Sequence, residues 1–91
     1  MLAIIRTNKF IKDLRLAKKR GFDLSLLDEV VTKIANQEIL DDRYHDHALT
    51  GNFSDFRECH IKPNWLLIYT VDDNELELFL FRTGTHSDLF D

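Results

Sequence analysis

The sequence has very little of the residues that build disulfide frameworks, linkers or membrane spans. Its 91 residues include one cysteine, one proline and three glycines, so no disulfide can form within the chain and no segment has a linker's composition. No apolar run approaches the roughly 20 residues of a membrane-spanning helix. The apolar segment 1–6 has the length of a strand, and no small-residue cleavage site follows it. These absences predict one domain over residues 1–91, located in the reducing cytoplasm and without a membrane contact.

The short length also limits the kind of site that the chain can build. A domain of this size buries only about 60% of its unfolded surface, so a deep enclosed pocket is not expected. We therefore expect the chemistry to lie in a shallow surface depression, which suits a polymeric substrate better than a small metabolite.

Charge of the two signs is unevenly distributed along the chain. The net charge is −4, which alone argues against nucleic acid. Residues 1–20 nevertheless hold seven cations and one anion, a balance of +6, whereas the remaining 71 residues carry five cations and fifteen anions. Such segregation predicts a cationic surface that could meet a phosphate backbone or an acidic protein, or could simply be solvated. At helical spacing, Lys12, Arg15 and Lys19 form a stripe on that surface, with Lys9 one turn earlier.

The spacing of apolar residues changes from helical in the first half to alternating in the second. The predicted order is β-α-α-β-β-β: a strand over 2–6, helices over about 8–20 and 25–37, strands over 56–61, 65–71 and 75–83, and a tail over 86–90 with room for one helical turn. This order predicts an α+β fold, in which a small mixed sheet carries both helices on one face.

Local signals define the ends of the predicted helices. The first begins with a cap at Thr7 or Asn8 and stops at Gly21, and the second opens at Asp23 or Ser25. The short connection favours an antiparallel helical hairpin. Residues 40–52 are polar and without a period, so they are predicted to be a loop.

Alternation in the last strand predicts which of its side chains face the core. On this pattern Leu76, Leu78 and Leu80 share the buried face, and Arg82 continues it. An arginine in that row is unusual unless its stem covers the core edge or its guanidinium meets an anion.

Three histidines and this arginine are the candidate catalytic residues: His47, His60, Arg82 and His86. Histidine has an ordinary pKa of about 6.5, so it can accept and donate a proton near neutrality. Two imidazoles and a guanidinium are sufficient to cut RNA without a metal. One imidazole takes the 2′-hydroxyl proton, the other protonates the leaving 5′-oxygen, and the cation stabilises the phosphorane. The plain alternatives are a solvated loop residue for His47 and a half-buried strand residue for His60.

Metal binding is the rival chemistry for the same residues. His45, His47, Cys59 and His60 are close in sequence, but Cys59 and His60 are consecutive on a strand and point to opposite faces. No familiar zinc spacing occurs, so we expect no metal or other cofactor, and we expect Cys59 in the core.

Two aromatic residues are candidates for stacking on a nucleobase. Trp65 follows a turn and is expected in the core, with stacking as its alternative. Phe90 is near the end of the chain and beside a histidine, a position suited to base stacking.

Three segments of the sequence carry a resemblance to a known family. They are His47-Ala-Leu-Thr-Gly, Arg57-Glu-Cys-His60-Ile-Lys-Pro-Asn-Trp65-Leu-Leu-Ile-Tyr and Arg82-Thr-Gly-Thr-His86-Ser-Asp-Leu-Phe90. In these segments the sequence resembles the YafQ family of bacterial type II toxins in the RelE/ParE superfamily. The resemblance implies a RelE-like fold, a curved and mostly antiparallel sheet with an N-terminal helical hairpin. Residues matching the family's active-site positions are His47, His60, Arg82, His86 and Phe90.

The implied activity is ribosome-dependent cleavage of mRNA in the A site of bacterial ribosomes, neutralised by an antitoxin of the DinJ type. Promoter DNA would be reached only through that antitoxin. The cationic stripe, with Lys9, Lys12, Arg15 and Lys19, would contact ribosomal RNA.

One position departs from the family's pattern. Family members commonly have an aspartate after the proline of the His-x-x-Pro turn, where this chain has Asn64. An amide can orient a histidine but cannot act as a base. Glu58 shares a strand face with His60 and is the candidate for the missing carboxylate.

Two other classes of function remain open on the sequence. A ParE-like protein would poison a DNA topoisomerase through protein contacts and would need no histidine. A non-catalytic regulatory module would bind partners and cut nothing.

Overall fold

The computed structural model describes residues 1–90, which form five strands and three helices. In chain order they are β1 (Ala3–Arg6), α1 (Asn8–Lys19), α2 (Leu24–Ala35), β2 (His47–Ala48), β3 (Arg57–Lys62), β4 (Trp65–Asp72), β5 (Glu77–Gly84) and α3 (His86–Phe90). The predicted β-α-α-β-β-β order is confirmed, with β2 and α3 added to it. Asp91, the last residue of the predicted domain, lies outside the described residues.

All five strands belong to one mixed sheet with the order β1-β5-β4-β3-β2. The first strand pairs parallel with β5, and the other three pairings are antiparallel. The prediction of an α+β fold with a mostly antiparallel sheet is therefore confirmed.

Helices α1 and α2 form the predicted hairpin and pack on the same face of the sheet. Phe10 of α1 and Leu27 and Val30 of α2 join one core cluster with Leu67 and Leu78 of the central strands. Burying side chains of this kind contributes about 1.5–3 kcal/mol each. Amphipathic helices therefore gain most of their stability from this contact with the sheet.

Caps hold the ends of the hairpin helices. Thr7 rather than Asn8 caps α1, because its hydroxyl accepts the Phe10 N–H at 3.0 Å and donates to the Phe81 carbonyl at 2.8 Å. Asp23 rather than Ser25 caps α2. Between the helices, Gly21 takes a φ of +79°, a conformation that favours glycine and ends α1 as predicted.

The central strand β4 is buried on both of its faces. Its first five residues, Trp65–Tyr69, are each at most 3% exposed. A continuous apolar run is typical of a strand covered on both sides. Trp65, Leu67 and Tyr69 join the core under the helices, so Leu66 and Ile68 point to the other face.

A bulge in β5 corrects the predicted position of Arg82. Ile68 pairs with Arg82 and Tyr69 with Leu80, which leaves Phe81 as an extra residue on β5. Because one extra residue reverses the alternation that follows it, Arg82 points away from the face of Leu78 and Leu80. The prediction that it continues their row is wrong.

Two further expectations from the sequence are corrected. Leu76 was expected beside Leu78 in the core, but it lies in the turn before β5 with a φ of +55° and is 57% exposed. Residues 40–52, predicted to be a loop, contain β2, because His47 and Ala48 pair with Glu58 and Arg57. A two-residue strand has too few positions to produce a visible period.

No helix within residues 1–90 is both long and apolar enough to cross a membrane.

Cys59 lies in the core and is fully buried, as expected. Burial raises the pKa of its thiol to about 12, so the reactive thiolate is scarce at about pH 8. We expect iodoacetamide to alkylate the native protein far more slowly than the urea-unfolded protein, as followed by mass spectrometry. Glutathione in the same tube is the control for reagent activity, and rapid labelling of the native protein would contradict the placement of this thiol.

Candidate active site

Three chemistry-bearing side chains and one apolar residue line up across the sheet on the face opposite α1 and α2, which we call the histidine face. Glu58 pairs with His47 on β2 and with Ile68 on β4. Ile68 in turn pairs with Arg82 on β5. Directly paired residues share a face, so this row runs from an imidazole through a carboxylate and an apolar floor to a guanidinium. Two strand spacings, about 10 Å, separate the backbones of β3 and β5.

Glu58 is the buried centre of this row and is 5% exposed. Its Oε1 lies 3.6 Å from Nε2 of His47 and 3.4 Å from Nε2 of His60. The carboxylate that the sequence only suggested as support is thus shared between two imidazoles. Because His60 is two residues further along β3, the pleat of the strand points both side chains to the same face.

The other nitrogen of each imidazole contacts a backbone carbonyl. Nδ1 of His47 lies 2.6 Å from the His45 carbonyl oxygen, and Nδ1 of His60 lies 3.3 Å from the Pro63 oxygen. A carbonyl only accepts hydrogen bonds, so these contacts assign the Nδ1–H form to both rings. Nε2 of each ring is then the nitrogen that can take up or release a proton beside Glu58.

The other three histidines of the chain gather around His60. The centroid of its ring lies 5.5 Å from that of His45, 6.4 Å from His47 and 6.3 Å from His86. The sequence suggests His45 only as a candidate metal ligand. Here it borders an open groove of about 800 Å³ beside His60, with Arg43 and Lys62 in its lining.

Asp46 anchors the segment that carries His47 and was missed in the sequence. Its carboxylate accepts a hydrogen bond from the Tyr69 hydroxyl at 2.5 Å and lies 3.2 Å from Nη2 of Arg57. The contact with Asp46 raises the pKa of Arg57, and burial followed by Asp46 raises that of Tyr69. These bonds tie β2 to β3 and β4, and they hold His47 beside Glu58.

A carboxylate from α1 holds Arg82 and was also missed. Asp13 Oδ2 lies 2.7 Å from Nε of Arg82, and Oδ1 lies 3.1 Å from Nη2. Asp13 also accepts the Thr83 N–H at 3.0 Å, at a level of β5 beyond the end of β1. The contact raises the pKa of Arg82. The sequence did contain one signal for this contact, because Asp13 is the single anion among the first 20 residues.

Helix α3 follows β5 directly and carries His86 and Phe90. The Asn64 side-chain oxygen accepts the His86 backbone N–H at 3.3 Å, so Asn64 supports the start of α3 and not an imidazole. Phe90 is 40% exposed and lies edge-on to Phe53, with 5.8 Å between ring centroids. Its position leaves an aromatic surface beside His86.

Trp65 does not join this surface. It is 2% exposed, its Nε1–H donates to Thr83 Oγ1 at 2.9 Å, and its ring lies 5.0 Å from that of Phe22. The indole belongs to the core, as expected, and has no free face for the alternative role of stacking on a base.

The four residues of the predicted cationic stripe are exposed on α1, namely Lys9, Lys12, Arg15 and Lys19. Lys9 is one turn before Asp13 and lies on the same side of α1, whereas Lys12, Arg15 and Lys19 lie on another side of the helix.

The arrangement combines a buried carboxylate, imidazoles and a guanidinium on an open surface. These are the groups of an acid–base site for phosphoryl transfer. Within residues 1–90, no group of three or more His, Cys, Asp or Glu side chains is arranged to hold a metal ion.

Comparisons with known proteins agree with this class of site. A family model described as "Bacterial toxin of type II toxin-antitoxin system, YafQ" matches residues 2–91. The chain therefore belongs to the YafQ family of type II toxins. The mRNA interferase toxin YafQ of Escherichia coli K12 is 38% identical over 85 residues, covering 92% of this chain and 90% of that protein.

Solved structures of relatives share the whole fold. The metal-bound toxin from Helicobacter pylori has a TM-score of 0.94 at 50% identity, covering 99% of this chain and all of that one. The toxin in the E. coli DinJ–YafQ complex has a TM-score of 0.89 at 36% identity, covering 99% and 98% of the two chains.

Replacing Asp13 tests the link between α1 and Arg82. Asp13→Asn removes the charge from two hydrogen bonds to a guanidinium, and we expect the free energy of unfolding to fall by about 1–3 kcal/mol in urea titrations. Asp28→Asn, an exposed position on α2, removes the same charge and is the control. Equal stability of the two variants would contradict a structural role for this pair.

Proposed function

We propose that the protein is a toxin that cuts mRNA on the ribosome, within the A-site codon, without a metal ion. Supporting this activity, the E. coli relative is named an mRNA interferase. The observation that carries the proposal is the row from His47 through Glu58 to Arg82, with His86 beside His60. It supplies a base, a cation and an acid around one open surface.

Glu58 and its two imidazoles are proposed to activate the nucleophile. The 2′-hydroxyl of the ribose would lose its proton to Nε2 of His47 or His60, and the Glu58 carboxylate would stabilise the imidazolium that forms. A buried carboxylate held against imidazole does this better than a solvated one, because less water competes for the charge. Glu58 thus takes the part that an aspartate at position 64 would play in other family members.

Arg82 and His86 are proposed to handle the charge and the leaving group. Asp13 engages Nε and Nη2 of Arg82, so Nη1 is the nitrogen that would meet the phosphorane oxygens. His86 would give its proton to the 5′-oxygen as the P–O bond breaks. The products are then a 2′,3′-cyclic phosphate, or the 3′-phosphate formed from it, and a free 5′-hydroxyl.

Phe90 is proposed to hold a base next to the scissile phosphate. Its ring is 40% exposed and lies edge-on to Phe53, with the His86 ring at a centroid distance of 5.8 Å. Stacking on an aromatic ring contributes about 1–3 kcal/mol per base. The groove beside His60 would leave room for the continuing RNA strand.

The proposed partners are the ribosome, its mRNA and an antitoxin. A DinJ-like antitoxin is proposed because the E. coli relative was solved as a DinJ–YafQ complex, and binding of promoter DNA would occur only through it. A reaction on translating ribosomes places the toxin in the bacterial cytoplasm. There the exposed cations of α1 would contact ribosomal RNA phosphates.

The direct test adds antitoxin-free protein to mRNA paused on ribosomes, after chelation of the enzyme stock alone. We expect cleavage within the A-site codon.

Glu58→Gln should lower kcat by about 10²-fold or more with little change in KM, because the amide cannot stabilise an imidazolium. Glu75→Gln, in the exposed turn before β5, is the control. Full activity of Glu58→Gln would remove the carboxylate from the mechanism, and intact mRNA with the wild-type protein would favour a topoisomerase poison.

The cationic stripe makes a separate prediction about ribosome binding. Neutralising Lys12, Arg15 and Lys19 to Gln should weaken binding and reduce the slope of log affinity against log salt by about 2–3, because each phosphate contact releases counterions. Sedimentation with 70S ribosomes over a salt series measures both. The control compares two single variants: Lys12→Gln removes one charge from the stripe, and Lys33→Gln removes one charge from α2, outside the stripe. An unchanged slope in the triple variant would mean that the stripe does not touch RNA.

A further inference from the structure

Helix α3 is too small to hold itself in place. It contains five residues, none of which is buried, whereas isolated helices shorter than about 12 residues are marginal in water. His86 and Phe90 are its first and last residues. The position of both side chains therefore depends on contacts between α3 and the rest of the protein.

Asp88 makes the charged contacts of α3. Its Oδ2 and Oδ1 accept hydrogen bonds from Nη1 and Nη2 of Arg20 at 2.6 and 3.1 Å, a two-pronged pairing of a planar guanidinium with a carboxylate. Arg20 caps the C-terminal end of α1. The pair thus connects α3 to the end of the hairpin helix, 68 positions away in sequence.

The same carboxylate caps the beginning of α3. Oδ2 of Asp88 accepts the Thr85 N–H at 2.9 Å, and Thr85 Oγ1 accepts the Asp88 N–H at 3.2 Å. This reciprocal pair has the form of a capping box. Gly84 makes room for it, because a Cβ there would lie 2.9 Å from Oδ2 of Asp88.

We propose that Arg20 and Asp88 are positioning residues for the ribonuclease reaction, and that their ion pair holds α3 so that His86 and Phe90 face the scissile nucleotide. The inference rests on the proposed function for its catalytic part. Neither residue touches the substrate, and both act through the helix that they hold.

Because the ion pair is partly exposed, we expect it to affect the order of α3 and not the global stability of the protein. The Arg20 and Asp88 side chains are 37% and 20% exposed, and exposed ion pairs contribute little to global stability. The Arg20 guanidinium holds the pKa of Asp88 well below its ordinary value of 3.8. A lowered pKa means that the pair is fully formed above that value and is lost only as the pH falls well below it. Near neutrality both groups of the pair are therefore charged. Misplacing a reacting group by about 1 Å costs about 10²-fold in rate.

The kinetic test uses Asp88→Asn, Arg20→Ala and the double variant in the paused-mRNA assay. The asparagine oxygen can still cap Thr85, so Asp88→Asn removes mainly the ion pair. We expect kcat to fall at least tenfold in each single variant with the thermal midpoint close to wild type. The double variant should be no worse than the poorer single, and Arg20→Lys should recover part of the loss. Asp73→Asn, an exposed position in the turn after β4, is the charge-matched control.

A second readout is independent of cleavage. Backbone ¹⁵N relaxation of residues 85–90 should show an ordered α3 in the wild type and in Asp73→Asn, and a disordered one in Asp88→Asn and Arg20→Ala. Gly84→Ala should give the same disorder by displacing the Asp88 carboxylate.

The two readouts separate failure of this inference from failure of the proposed function. If the wild type does not cut mRNA, the proposed function fails, and the order of α3 alone decides whether the pair holds the helix. If the wild type cuts and the variants keep both kcat and an ordered α3, the inference is overturned. Loss of order with unchanged kcat would equally overturn the positioning role.

Discussion

Strand β4 lies at the centre of the sheet and is buried on both faces, and the register of its neighbours determines where the reactive side chains stand. One face of the strand packs under the helices through Leu67 and Tyr69. The other face supplies the apolar floor of the histidine face, where Ile68 lies between Glu58 and Arg82. Sliding either neighbour by one residue would exchange the two faces and take the row apart. Burial of β4 on both sides makes such a slip costly.

The second constraint is the position of α1 against β5. Asp13 and Arg20 are seven residues apart on this helix, so they lie on one side of it, two turns from each other. Each forms a two-pronged pair, Asp13 with Arg82 of the candidate site and Arg20 with Asp88 of α3. Lys12, Arg15 and Lys19 of the cationic stripe lie on another side of the same helix, whereas Lys9, four residues before Asp13, lies on the side of Asp13. One helix thus carries both the support of the site and the surface proposed for RNA.

The buried carboxylate of Glu58 and the carboxylates of Asp13 and Asp88 interact with different kinds of cation. Glu58 is almost completely buried and interacts with imidazoles, whose charge changes with protonation. Asp13 and Asp88 instead meet guanidinium groups, which stay charged at every working pH. Permanent pairs suit residues that hold geometry, whereas an imidazole–carboxylate contact suits a group that must gain and lose a proton. In the proposed mechanism, the contacts that position side chains therefore use guanidinium groups, and the contact that accompanies proton transfer uses imidazoles.

Much of the fold was accessible from local sequence patterns. Helical spacing, the caps at Thr7 and Asp23 and the stop at Gly21 act over a few residues, so they predicted the hairpin. The alternating strands and the burial of Cys59 followed from the same kind of reasoning. The two-residue strand β2 was missed because its evidence is its pairing with β3, a partner about ten residues away.

The sequence by itself determined which residue types are available to the site and which elements carry them. Tertiary structure decided how they meet. The bulge at Phe81 turns Arg82 onto the histidine face. The alternating pattern of β5 contains no signal for this extra residue. Arg82 with Asp13, and Arg20 with Asp88, lie 69 and 68 positions apart. Only packing of α1 against the sheet brings such pairs within hydrogen-bonding distance, because no local spacing rule acts over that separation.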